Sequence, residues 1–397
     1  MKLHENARLT GTALIKFMQE LQKLSYQTKT LDVNTSLIAL FTVSSVDKTG
    51  VSGFLHSKGS SKTKLKIPMK QFEECFGMDS ELLDELGNRN GKHSPQLLAN
   101  VGNRWLYVSD YALNTFAQRA GCVKSKSFLC DEGTARFHRD GLMEAGLYFN
   151  PVPASLLYRK DGKAAKLFAV FTERYKYLDQ YQLIKWILCS LGGALGTVTA
   201  RNWEINHIYT DACLELPRLG KKLTKEYGLP NKIIPGIHIH TSDVGESSFL
   251  VYGTIRIGKE FVHIPGCLIR QEHEQQTRKE TDIIEQLWDK IVPRFDEIAM
   301  RLANLAEIRI ENPNQAVREV FEACDFRRNM CLGSKKAGNI LNNYLMNRFP
   351  SGECTAYDIV QLFSDIPGTE DMDGIGYRNL DAVRDSAASS ISFPYAC

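Results

Sequence analysis

The residues of this chain whose type and spacing could do metal chemistry are the histidines of one short segment. His238 and His240 are separated by a single residue in the β-branched stretch IIPGIHIHT. Alternate side chains of a strand point to one face, so both imidazoles could bind the same metal ion. Glu246 follows six residues later, and His263 could approach from a neighbouring strand. Histidines that alternate on a half-exposed strand more often form its polar outer face, so we expect no metal and no other cofactor, with a metal-dependent enzyme as an alternative.

Basic residues recur in two clusters together with aromatic residues. Single-stranded nucleic acid is bound by cations that follow the phosphates and by aromatic faces on which bases stack. One cluster lies in the Gly- and Ser-rich segment 46–70, and the other spans residues 158–177. The expected nucleic-acid-binding residues are Lys58, Lys62, Lys64, Lys66, Lys160, Lys163, Lys166, Arg174, Tyr175, Lys176 and Tyr177. The alternative is that the charges form a solvated surface and the tyrosines lie in the core.

The segment from Ile233 to Arg270 indicates the element that positions the histidines. It reads as three extended segments joined by tight turns at residues 243–245 and 258–259. Apolar residues at gaps of three and four then run from Ile284 to Leu305, which predicts a long helix, kinked or split at Pro293. The expected fold class is α+β, with a central antiparallel β-meander packed on a long helix and a helical C-terminal region.

Three regions are expected along the chain. Residues 1–150 form an N-terminal α/β region, with a helix over residues 10–25, a strand over 36–43 and a basic hairpin or mobile loop over 46–70. Residues 151–310 hold the β-meander and the long helix. Residues 311–397 form the helical C-terminal region.

Three short motifs occur in an order that resembles a known family. They are FTERYKYLDQYQL at 171–183, PGIHIHTSDVGESSF at 235–249 and TAYDIVQLFSD at 355–365. This order is similar to the phage/plasmid-like family that carries domain of unknown function 932, over residues 167–388. The positions that match are Arg174, Tyr175, Ser242, Asp243, Gly245, Ser248 and Thr355, while the pair before Ser242 departs from the family pattern. The resemblance implies an origin in a mobile element and no established activity.

Composition narrows the function classes. The chain has 397 residues, a net charge of +3 and 43% apolar residues, which are ordinary globular values. Its ten cysteines include no Cys-x-x-Cys pair, and there is no secretion signal or phosphate-binding Gly-rich motif, so we expect a cytoplasmic protein without a membrane span. We expect a non-enzymatic phage or plasmid protein that binds single-stranded nucleic acid, with a possible homo-oligomer. A virion structural or assembly protein is the alternative from another class.

Overall fold

The protein has an α+β fold built on two sheets. The computed structural model describes residues 1–59, 61–77, 79–87, 96–102, 104–122, 134–273, 280–326, 333–350, 353–373 and 375–395. The strands are β1 (Arg8–Gly11), β2 (Thr28–Asn34), β3 (Ile38–Asp47), β4 (Gly50–Ser57), β5 (Ser61–Pro68), β6 (Leu97–Val101), β7 (Arg104–Val108), β8 (Pro153–Asp161), β9 (Ala164–Thr172), β10 (Thr199–Asn206), β11 (Thr210–Glu215), β12 (Ile234–Thr241), β13 (Phe249–Arg256) and β14 (Phe261–Gln271).

Helices connect and cover these strands. The α-helices are α1 (Leu14–Gln27), α2 (Met69–Phe76), α3 (Ser80–Gly87), α4 (Asp110–Arg119), α5 (Thr134–Phe149), α6 (Gln180–Leu195), α7 (Pro217–Glu226), α8 (Glu280–Gln286), α9 (Val292–Glu307), α10 (Pro313–Ala323), α11 (Gly333–Asn339), α12 (Ala356–Ser364) and α13 (Tyr377–Ser389). Two π-helical segments, Leu287–Ile291 and Ile340–Leu345, follow α8 and α11. Short 3₁₀ turns cover Thr35–Leu37, Ile366–Gly368, Glu370–Met372 and Ser390–Ser392.

The first sheet has eight strands in the order β2-β8-β9-β7-β6-β3-β4-β5. All its pairs are antiparallel except β7 with β9. Helices α4 and α5 contribute to the apolar core on one face, and α2 and α3 to a separate core with Phe41, Val43 and Tyr107. The described residues of the segment 46–70, expected to be a hairpin or mobile loop, include the end of β3, all of β4 and β5 and the start of α2.

The second sheet has six antiparallel strands in the order β1-β10-β11-β12-β13-β14. The three extended segments predicted from the sequence are its neighbouring strands β12, β13 and β14. They occupy one end of the sheet, with β14 at the edge, so the meander is not the centre of the fold as expected. The reason is that β1, from the start of the chain, pairs with β10 and extends the sheet on the other side.

The boundary expected at residue 150 does not separate the two sheets. Strands β8 and β9 follow that residue, yet they pair with β2 and β7, which precede it. Conversely, β1 lies near the N-terminus but belongs to the sheet formed by residues 199–271. Each sheet therefore depends on hydrogen bonds between distant parts of the chain, which local composition does not indicate.

A continuous helical region packs on the meander, as the apolar pattern suggests. Leu287, Ile291, Phe295 and Leu302 are buried in the largest core, together with the isoleucines of β12. The predicted disruption at Pro293 takes the form of a π-turn. Pro293 has no amide hydrogen to donate, and the turn before it widens so that the Val292 amide bonds to the carbonyl of residue 287.

Candidate metal centre and basic cleft

The histidines of β12 lie in the interior of the protein. Ile237 and Ile239 face the main core, while His238 and His240 alternate with them and face helix α13. Both histidines have 0% exposure. The interpretation of this face as a polar outer surface was wrong, because α13 comes from more than a hundred residues later in the chain and covers it. Buried imidazoles need polar partners, and the structure supplies them.

His238 and His263 meet a carboxylate from α13. Nδ1 of His238 lies 3.0 Å from Nε2 of His263, and both nitrogens lie 3.8 Å from Oδ1 of Asp381. A point about 2.1 Å from all three atoms exists inside their triangle, which is the bond length of zinc to nitrogen and oxygen ligands. The three residues are at most 7% exposed. This arrangement could hold a metal ion, and Asp381 is a member that the sequence did not indicate.

The other nitrogen of each ring bonds to a second carboxylate. Nε2 of His238 lies 2.9 Å from Oδ2 of Asp211, and Nδ1 of His263 lies 2.8 Å from Oδ1 of Asp385. Asp211 also accepts a hydrogen bond from Nδ1 of His240, at 3.0 Å. Burial alone would raise the pKa of Asp211, but the two histidines lower it well below its usual range. Asp211 is therefore a carboxylate, and it can only accept hydrogen bonds from the rings.

His240, the remaining candidate ligand, is not a member of the triangle. It shares Asp211 with His238, and its ring stacks on Tyr377 with centroids 3.9 Å apart. Among the described residues, its Nε2 has no hydrogen-bond partner. The ring of His263 stacks on Tyr252 with centroids 4.1 Å apart, and burial lowers the pKa of His263 well below its usual value. His263 is therefore neutral at physiological pH.

A second candidate site is a cleft of about 1120 Å³ where the two sheets meet. It lies at the end of β9, beside α4, and is closed on the other side by the β12–β13 turn and the end of β14. Its charged lining residues are Arg119, Arg174, Glu246, Arg270 and Glu272, and its aromatic ones are Tyr111, Phe171, Tyr175 and His273. The cleft therefore combines guanidinium groups with polar and aromatic surface, and four of its residues, Arg174, Tyr175, Gly245 and Ser248, are positions that match the family-like motifs.

The guanidinium groups of the cleft differ in their partners. Arg270 is paired with Glu272 at 3.0 Å and donates to the Ser248 hydroxyl at 3.2 Å. Arg174 is exposed. Arg119 is half-buried, and within the described part of the chain its buried Nε finds no acceptor. An unpaired buried donor is unfavourable unless a ligand or water satisfies it, so Arg119 has hydrogen-bonding capacity left for an anion.

The turn between β12 and β13 is fixed by its side chains. The Ser242 hydroxyl donates to the carbonyl of Ile208 at 2.6 Å and accepts from the amide of Glu246. Gly245 has φ +84°, a left-handed conformation that glycine adopts easily. The carboxylate of Asp243 forms a buried ion pair with Arg159 of β8. The turn therefore connects the two sheets.

The expected nucleic-acid-binding residues fall into three separate places. Lys62, Lys64 and Lys66 alternate along β5, the edge strand of the eight-stranded sheet, with Lys58 in the turn before them, and all four are exposed. Lys160 and Lys163 are exposed at the β8–β9 turn, and the segment 174–177 follows the opposite end of β9. Nine extended residues of β9 separate these two places by roughly 30 Å. The basic cluster predicted over residues 158–177 is therefore split between the two ends of β9.

Lys166 is a correction to the predicted interface. Its ammonium group is buried and paired with Glu85 at 2.8 Å and with Glu5 at 3.2 Å. It cannot reach a phosphate, because the side chain is 2% exposed. Whether a lysine on a strand is buried depends on whether its face of the sheet is covered. In this protein residues 1–7 and α3 cover the face on which Lys166 lies.

The stacking roles of the two tyrosines are also corrected. The ring of Tyr175 lies between Phe171, with centroids 3.5 Å apart, and His273, with centroids 4.9 Å apart, so both its faces are covered. Its hydroxyl donates to the carbonyl of Asp243. Tyr177 packs against a small apolar cluster that includes Leu157 and Val244, and burial raises the pKa of its hydroxyl. The Tyr175 ring therefore has no free face for a base, and the Tyr177 ring is partly buried against the apolar cluster.

Comparison with known proteins adds no relative: no family model matches the chain, and no curated protein or solved structure is significantly similar to it. The resemblance to the phage/plasmid-like family therefore stays a prediction. Among the helices that the structure describes, none has the length and apolar character needed to cross a membrane.

Proposed function

We propose that this chain is a phage- or plasmid-derived protein that binds single-stranded nucleic acid, without catalysis, in the cleft where the two sheets meet. The observation that carries the proposal is the convergence of Arg119, Arg174 and Arg270 on one cleft. Its volume of about 1120 Å³ exceeds the roughly 300–1,000 Å³ of small-molecule sites, so an extended ligand fits better than a single small one.

Phosphate contacts dominate in this binding mode. Guanidinium groups bind phosphate through paired N–H donors, and among the described residues no acceptor satisfies Nε of Arg119. The amides of Asn114 and Gln118 on α4 line the same cleft and supply hydrogen bonds to bases or sugars. Stacking on Tyr175 does not contribute, because both faces of its ring are covered, and Tyr177 packs against an apolar cluster. Binding is therefore expected to depend strongly on salt and weakly on base sequence.

The lysine edge of β5 is the competing surface for the same ligand. Lysines on an edge strand also have a structural purpose, since they prevent pairing with the edge of another sheet. Lys66 is engaged with Asp47 at 3.7 Å, and Lys62 lies over the ring of Phe137. Lys58 and Lys64 are therefore the lysines of that surface that are least engaged with other side chains. A flat stripe of lysines also excludes less water from a bound ligand than the concave cleft does.

A matched pair of double variants distinguishes the two surfaces. We expect Arg119→Gln with Arg174→Gln to weaken the binding of labelled single-stranded DNA, measured by fluorescence anisotropy. The slope of log affinity against log salt should fall by about 0.7 for each phosphate that the protein no longer binds. Lys62→Gln with Lys64→Gln removes the same total charge and should leave affinity nearly unchanged. A larger decrease in affinity from the lysine variant would move the site to β5.

Titration of the wild type also separates the function classes. Absence of binding to single-stranded DNA and RNA at low salt would refute the nucleic-acid proposal. If the protein binds duplex DNA as tightly as single-stranded DNA, it recognises phosphates in general and does not prefer single strands. Light scattering without nucleic acid then tests the alternative of a virion assembly protein, which requires a high-order oligomer.

A further inference from the structure

We propose that His238, His263 and Asp381 bind one divalent transition-metal ion of the zinc class, which attaches helix α13 to the edge of the six-stranded sheet. This site lies apart from the basic cleft, and the proposal is independent of nucleic-acid binding. Two imidazole nitrogens and one carboxylate oxygen are a donor set for Zn²⁺, Co²⁺ or Fe²⁺ rather than for Mg²⁺ or Ca²⁺, which prefer oxygen ligands alone.

The facing nitrogens of the two histidines need a cation between them. Nε2 of His238 must carry a proton to bond the Asp211 carboxylate, and Nδ1 of His263 must carry one to bond Asp385. In neutral rings, Nδ1 of His238 and Nε2 of His263 are then both bare lone pairs, only 3.0 Å apart. Two lone pairs at that distance repel each other, so either a metal ion or an extra proton lies between them.

The surrounding carboxylates are arranged as outer ligands of a metal site. Histidines that bind metal ions usually donate the other ring N–H to a carboxylate, which fixes the tautomer and the orientation of the ring. Both histidines of the site have this partner, and the partners come from different elements, β11 for Asp211 and α13 for Asp385. Two independent carboxylate–histidine pairs directed at one point are the observation that favours a metal over a proton.

The charge around the site leads to the same conclusion. Among the described residues that contact the two rings or Asp381, Asp211 and Asp385 are acidic and Arg384 is basic, with Nη1 of Arg384 2.8 Å from Oδ1 of Asp381. The Asp385 side chain is 59% exposed, so water screens its charge, and Arg384 offsets the charge of Asp381. The Asp211 carboxylate is then the negative charge that a cation between the two rings would balance.

The position of the site indicates a structural ion. His238 belongs to β12, His263 to β14 beside a β-bulge, and Asp381 to α13, so one ion connects three elements. Catalytic zinc combines three protein ligands with an open position for substrate, while structural zinc usually has four protein ligands and is closed from solvent. The three residues here are at most 7% exposed, so the site is closed from solvent and the expected effect of the metal is on stability.

The first experiment measures metal content and metal binding in the full-length protein. We expect about one zinc per chain by elemental analysis after purification without chelators. After removal by a chelator, addition of Zn²⁺ should raise Tm by a few degrees. Titration with Co²⁺ should give visible absorption bands of a nitrogen- and oxygen-ligated ion at one equivalent. Absence of stoichiometric Zn²⁺ and Co²⁺ binding would overturn the proposal and assign a shared proton to the histidine pair.

Variants locate the bound ion. His263→Gln and Asp381→Asn should abolish the Co²⁺ spectrum, whereas His138→Gln, at an exposed histidine of α5, should leave it unchanged. Asp385→Asn retains all three ligands at an exposed position, so the fold is preserved, and Zn²⁺ affinity should fall about 10–100-fold. A Co²⁺ spectrum unchanged in Asp381→Asn and Asp385→Asn would place the ion elsewhere and refute the site.

Discussion

Arg159 of β8 and Asp243 of the β12–β13 turn form a buried ion pair that joins the two sheets. Nη2 of Arg159 lies 2.7 Å and 2.9 Å from the two oxygens of the Asp243 carboxylate, and both side chains are at most 3% exposed. Nη1 of Arg159 also donates to the carbonyl of His207 at 2.8 Å. The six-stranded sheet therefore contacts its neighbour through a fully hydrogen-bonded charge pair, and the wall of the basic cleft depends on it.

Asp243→Ala should lower the free energy of unfolding by about 3–5 kcal/mol, because it leaves the Arg159 guanidinium buried without its counter-charge. Urea unfolding followed by circular dichroism measures the change. Glu297→Gln removes one partner of the exposed pair between Arg294 and Glu297, and it should cost less than about 1 kcal/mol. Equal costs for the two variants would contradict a special role for the buried pair.

Lys166→Met should destabilise the protein and leave nucleic-acid affinity of the folded protein unchanged. The substitution leaves Glu5 and Glu85 without their shared cation, and burial already raises the pKa of Glu5. The expected decrease in unfolding free energy is about 3 kcal/mol. Protonation of Glu5 would reduce this decrease, because it removes one of the two uncompensated charges. Lys160→Met is the matched variant at an exposed site and should change stability by about 0.5 kcal/mol or less. If Lys166→Met lowers the affinity for nucleic acid without lowering stability, Lys166 contacts the nucleic acid after all.

Stability should depend on pH through His56. Burial and the nearby Lys62 lower the pKa of His56 to about 4, and Nε2 of the ring donates to Thr42, whose hydroxyl in turn donates to Asp140. The unfolded chain binds the proton more readily than the folded one between pH 4 and about 6.5. The stabilising contribution is therefore complete above pH 6.5 and is lost as pH falls toward 4, by about 3 kcal/mol in total.

The measurement is urea unfolding at several pH values, for wild type and His56→Gln. The difference in unfolding free energy between the two proteins should shrink as pH falls through that window, because only the wild type carries this proton. Lys62→Gln removes the smaller cause of the lowered pKa, so it should shift the window slightly upward. A difference that is constant with pH would show that His56 titrates normally.

Gly245→Ala should affect both the turn and the cleft. The left-handed φ of +84° is unfavourable for alanine, and the added Cβ would lie 2.8 Å from the ring of Phe171. That ring cannot retreat easily, since it is stacked on Tyr175. We expect stability to decrease by about 1–2 kcal/mol, measured by thermal unfolding. Gly162→Ala at the β8–β9 turn has a positive φ but open space around it, so its cost should be smaller.

Local sequence patterns were sufficient for the β-meander and for the helical region that packs on it. Period-two alternation and turn residues identified β12, β13 and β14, and apolar gaps of three and four identified the helical region around Pro293. These signals are local because the backbone hydrogen bonds of a helix and the two faces of a strand depend on residues only a few positions apart. The same reasoning predicted the α+β class and the turn at residues 243–245.

The tertiary structure decided which of these residues are buried and which meet. His238 and His240 alternate as the sequence shows, but their burial depends on α13, and Asp381, which lies beside His238, is 143 positions beyond it in the chain. Lys166 and Asp243 likewise gain partners 81 and 84 positions away. Contacts at such separations are formed by sheet pairing and helix docking, which depend on the whole apolar surface, so no local spacing of charged residues predicts them.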